Sequence, residues 1–89
     1  MIGTLLVILG GLALVSVAWS AVEGWLDANR TPTTAYAEIL KKRLTSGKYR
    51  VVAGVFDRHG HRTAQTEWEA DELGDDLKRR FGNENRIIV

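Results

Sequence analysis

The chain has 89 residues, 12 Lys and Arg against 11 Asp and Glu, a single proline and no cysteine. That length holds one small domain at most, and the missing cysteine excludes a disulfide framework, a thiolate metal site and a cysteine nucleophile. A net charge of +1 excludes a globally basic nucleic-acid binder.

Every charged side chain lies after Val22. Ile2 to Val22 is an uncharged, mostly apolar run of roughly 31 Å if helical, close to the ~30 Å hydrocarbon thickness of a bilayer. It therefore reads as a transmembrane helix over residues 1–26, with Trp25 and Arg30 at the membrane interface. No Lys or Arg precedes the run, whereas Arg30, Lys41, Lys42 and Arg43 follow it. The positive-inside bias then puts the N-terminus outside and the C-terminal part in the cytoplasm, as a single-pass membrane protein. Gly3, Gly10, Ala13, Ser20 and Gly24 fall near one helical stripe with Ser16 beside them, a small-residue face suited to helix–helix contact. A cleaved signal peptide is the alternative, given the small-x-small tripeptides Ser16-Val17-Ala18 and Ala18-Trp19-Ser20, but the run lacks a basic n-region and is long for one.

Residues 27–31 read as a juxtamembrane link and 32–89 as a small cytoplasmic domain. Thr31 is placed to cap a helix whose first residue is Pro32. Tyr36, Ile39, Leu40 and Leu44 continue it at helical spacing up to a stop at Gly47. Tyr49 to Phe56, rich in valine and aromatics, predicts a central strand because both of its faces hold apolar residues. Asp57-Arg58-His59-Gly60 has the form of a type I turn closed by a glycine. His61 to Trp68, mostly polar, reads as an edge strand. Asp71 opens a second helix, acidic at its start, basic at its end and stopped by Gly82. Arg86 to Val89 is a final strand. The expected fold class is therefore α+β: a single N-terminal transmembrane helix, then a helix-strand-strand-helix-strand domain with a three-stranded sheet of order 2-1-3.

Little here points to catalysis. His59 and His61 flank Gly60 with no third His or Cys to complete a zinc site. Glu67, Glu69, Asp71, Glu72, Asp75 and Asp76 read as a solvated edge and helix start. Ser46-Gly47-Lys48 is only a fragment of a phosphate loop. The expectation is a chain with no catalytic, metal or cofactor-binding residue. Between Arg30 and Arg50 six basic residues face the single acid Glu38. Lys41, Lys42, Arg43, Lys48 and Arg50 accordingly read as a contact for anionic lipid or a protein partner. Nucleic acid is disfavoured, since no aromatics interleave with these cations. The function expected is a membrane-anchored accessory or assembly subunit whose cytoplasmic domain binds a protein partner, with homo-oligomerisation through the transmembrane helix as one form of that contact. The alternatives are lipid-surface binding through the basic helix and an exported domain released by cleavage.

Overall fold

The computed structural model describes residues 14–89. In chain order the elements are β1 (Leu14–Val17), α1 (Trp19–Asn29), β2 (Thr34–Arg43), β3 (Tyr49–Asp57), β4 (Arg62–Leu73), α2 (Asp75–Phe81) and β5 (Arg86–Ile88). The strands form one mixed sheet of order β1-β4-β3-β2-β5. β1 runs parallel to β4, and every other neighbouring pair is antiparallel.

The central strand is where the sequence pattern places it. Val51, Ala53 and Val55 alternate along β3 and are fully buried, as a strand periodicity of two requires. They meet Ala37 and Ile39 of β2 on one side, and the register sets them opposite Trp68, Thr66 and Ala64 of β4 on the other. Val22 and Leu26 of α1 and Leu77 and Phe81 of α2 close the core from that same side. Trp25 of α1 meets Trp68 edge-on, with ring centroids 6.5 Å apart. The result is two layers, helices on one face of a sheet.

Several expectations change. The transmembrane helix over 1–26 is not formed: residues 14–17 are a strand, Ala18 is extended (φ −102°, ψ 160°), and a separate helix starts at Trp19. No helix among the described residues is long and apolar enough to cross a membrane. The single-pass localisation, with its outside N-terminus and cytoplasmic domain, loses the span it rested on. The physical reason is an ambiguity of uncharged runs, since a buried strand followed by a helix with a buried face is as free of charge as a membrane span. Here Val17 and Val22 are both fully buried against protein.

The helix expected from Pro32 is strand β2. Tyr36, Ile39 and Leu40 match a helical stripe, but Ala37 and Ile39 are buried while Glu38 and Leu40 point to the opposite face. Tertiary pairing decides the matter, because β2 gains ladders on both sides, to β3 and to β5. Gly47 does take a positive φ (90°), but in the β2–β3 hairpin turn rather than at a helix end.

β4 is not an edge. It lies between β3 and β1 and extends to Leu73, so α2 opens at Asp75 rather than at Asp71. The final strand forms but joins β2, giving a five-stranded sheet in place of three strands in order 2-1-3.

Two contacts join the parallel edge to the rest. The Gly74 N–H donates to Val17 O at 2.8 Å. A Cβ at Gly74 would lie 3.2 Å from Ala18 Cα and 3.3 Å from Val17 O, so glycine allows this approach. Asp76 Oδ1 accepts the N–H groups of Leu77 (2.8 Å) and Trp19 (3.3 Å), tying the first turns of both helices together. Because Leu26 is 1% exposed, Leu26→Ala should cost about 2–5 kcal/mol, measured as a fall in urea midpoint. An unchanged midpoint would mean that α1 does not pack on the sheet.

Candidate functional site

Alternation along the strands that builds the core also builds a second face. Tyr36, Glu38, Leu40 and Lys42 of β2 lie beside Arg50, Val52, Gly54 and Phe56 of β3, with Gln65, Glu67 and Glu69 of β4 beyond and Arg86 and Ile88 of β5 at the edge. Both helices pack on the other side, and no described element covers this face.

One end is aromatic. Tyr36 and Phe56 stack with centroids 4.9 Å apart and planes within 6°. A Cβ at Gly54 would meet the Phe56 ring at 3.3 Å, so the glycine leaves room for the ring to lie flat. The other end is a concavity of about 360 Å³, lined by Leu40 and Val52 and by Lys42, Arg50 and Arg86. Its apolar lining is open, with Leu40 38% exposed and Ile88 at the adjoining edge 51% exposed.

Ion pairs thread through this face. Arg86 donates from Nε to Glu38 Oε2 at 2.6 Å, and its Nη2 lies 2.6 Å from the same oxygen. Arg50 Nη2 sits 3.8 Å from Glu69 Oε1. Lys42 forms no ion pair among the described residues. Buried polar atoms collect here too: Arg50 Nε and Gln65 Oε1 have no hydrogen-bond partner among those residues. Glu67, opposite Val52 and diagonal to Arg50, is 8% exposed. Burial holds its carboxyl above the ordinary glutamate range, with the Arg50 guanidinium pulling the other way.

The hairpin tip is organised differently. Asp57 Oδ1 accepts the backbone N–H groups of His59 and His61, both at 2.9 Å. The His61 N–H, with a smaller part from His59, holds the Asp57 carboxyl below its usual value. No group of three His, Cys, Asp or Glu side chains converges to hold a metal among the described residues. Asp57 is a turn-former in this geometry.

The residues singled out from sequence do not form one patch. Lys42 and Arg50 meet on the open face. Lys41 lies on the helix side, its Nζ 5.0 Å from the Phe81 ring centroid. Arg43 stacks on Tyr49 and donates to its hydroxyl at 3.0 Å, and Lys48 pairs with Asp71 at 3.8 Å. Arg30 pairs with Asp27 at 3.7 Å, and Trp25 packs against the core. Gly3, Gly10 and Ala13 lie outside the described residues, while Ser16 is in β1 and Ser20 and Gly24 are exposed on α1. Sequence reasoning missed Leu40, Val52, Glu67, Arg86 and Ile88. The signal for Leu40 was the two-residue alternation from Tyr36 to Lys42, hidden by its coincidence with a helical stripe.

Compared with protein-family models, curated proteins and solved structures, the chain matches none.

The carboxyl of Glu67 yields a pH-dependent expectation. An acid whose folded pKa is raised stabilises the fold only while protonated, and that contribution is lost as pH rises through the folded value. Glu67→Gln should therefore raise the melting temperature at about pH 7, with the gain vanishing below the ordinary glutamate pKa of about 4.3. A gain of equal size at both pH values would locate the effect in packing instead.

Proposed function

We propose that this protein is a partner-binding accessory module whose docking surface is the open face of its sheet. The reading is carried by Leu40 and Ile88, large apolar side chains left exposed on a face that no described element covers. A single exposed leucine needs no explanation, but apolar residues grouped around a concavity and rimmed by charge are the anatomy of an interface core and rim. Domain size supports the same view, because a core this small gains by burying further surface against a partner.

The chemistry of the rim narrows the partner. The concavity has an apolar floor and four cationic residues around it: Arg86 and Arg50 are engaged by Glu38 and Glu69, and Lys41 turns its ammonium to Phe81. Lys42 is left to meet a partner's carboxylate. A segment with an aliphatic side chain next to an acidic one fits: the apolar group on Leu40 and Val52, the acid against Lys42.

Random peptides displayed on phage and panned against the full chain test this. Enriched peptides should pair an aliphatic residue with an acidic neighbour. They should bind Leu40→Asp at least about tenfold more weakly, a loss of ~1.4 kcal/mol, while the variant's melting temperature stays unchanged. Peptides that bind Leu40→Asp as well as the parent would overturn the reading.

A further inference from the structure

The free edge of β5 has its own geometry, distinct from that of the open face. Val89 and Ala37 exchange both of their backbone hydrogen bonds, at 2.8 and 2.9 Å, and Lys41 N–H donates to Asn85 O at 3.0 Å. Bonded and non-bonded pairs alternate in an antiparallel ladder, so Asn85, Ile87 and Val89 point their peptide groups at β2. The N–H and C=O groups of Arg86 and Ile88 point away from it and find no partner among the described residues.

Natural edges are commonly guarded by charge, proline or a covering element. Among the described residues this one has only Arg86, and the 2.6 Å bond to Glu38 holds that guanidinium over β2. Ile88 and Val89 remain 51% and 37% exposed. Such an edge accepts another strand.

We propose that the strand it accepts is β5 of a second copy of this chain, antiparallel and centred on Ile87. That register is self-complementary. Arg86 of each copy lies opposite Ile88 of the other, and each of these pairs exchanges two backbone hydrogen bonds. The two Ile87 residues face each other in the non-bonded position, where Cα atoms approach to about 4.5 Å. Ile87 already packs against the core, so its contact joins the two cores along the helix side of the sheet. Charge selects this register over its neighbour. Centring the pair on Arg86 would set two guanidinium groups opposite each other, which is destabilising, whereas centring on Ile87 sets each against an isoleucine. The two sheets become one ten-stranded sheet about a two-fold axis. The edge is short, so the dimer is weak and depends on concentration.

The test uses the full chain. Sedimentation velocity should show the molar mass doubling as concentration rises. Ile88→Pro removes only an outward N–H, so it should abolish the doubling while leaving the melting temperature near that of the parent. Leu40→Asp, on the open face, should leave the doubling intact, which separates this proposal from the partner-docking one. The chain has no cysteine, so introduced thiols report cleanly, even if the proline variant fails to fold. Ile87→Cys should cross-link under oxidation, and Ile88→Cys, two rows from its counterpart, should not. A parent that stays monomeric at every concentration, a folded Ile88→Pro that still doubles, or equal cross-linking at both positions would each overturn the proposal.

Discussion

The antiparallel ladder between β2 and β3 is the constraint on which the rest of the molecule depends. It runs from Thr34 opposite Asp57 to Arg43 opposite Tyr49, and every other element but β1, which reaches it through β4, attaches to it. β4 extends it on one flank and β5 on the other, while both helices lie across one of its faces. Register here fixes more than pairing. A slip of β2 by one residue would turn Ala37 and Ile39 outward and bring Glu38 and Lys42 into the core. The asymmetry of the two faces holds the ladder in place, and it also leaves the second face polar, grooved and uncovered.

What was legible in the sequence follows the same physics. Tyr49 to Phe56 announced itself because β-branched residues on both sides of a strand have no helical explanation. Asp57 to Gly60 announced itself through turn chemistry, and Gly60 indeed takes a positive φ of 80°. Gly82 ends α2 with a φ of 58°, and Ile87 and Ile88 divide between the two faces as alternation requires. β2 was hidden because Tyr36, Ile39 and Leu40 satisfy both periods, and nothing local could arbitrate. The run before Glu23 was hidden for a different reason. Hydropathy records that a segment avoids water, and both lipid and a protein interior meet that description. Among the residues of the proposed docking face, Lys42 and Arg50 were visible as charges. Leu40 and Val52 were not, since an apolar residue reads as core until the sheet shows which way it points.

The placement of polar groups separates the two faces further. The core cluster is apolar throughout. Among the described residues, two of the three buried polar side-chain atoms without a partner, Arg50 Nε and Gln65 Oε1, belong to the open face, as does the buried carboxyl of Glu67. An unmade hydrogen bond of this kind costs on the order of 1–3 kcal/mol. Most of this unmet polar demand thus lies on the open face, with Trp19 Nε1 the exception on the helix side.

The parallel pairing of β1 with β4 has a consequence for the order in which the molecule assembles. Leu14 is matched to Ala70 and Val17 to Leu73, so the first strand of the sheet waits for almost the whole chain before it has anywhere to bind. During synthesis at about 5–20 residues per second, β2 and β3 can close their hairpin while β1 still lacks its template. Val17, Val22 and Leu26, all buried in the finished fold, stay exposed to water or to any chaperone for that interval. β1 is therefore made well before the strand that seals it, and its apolar neighbourhood stays open until β4 is complete.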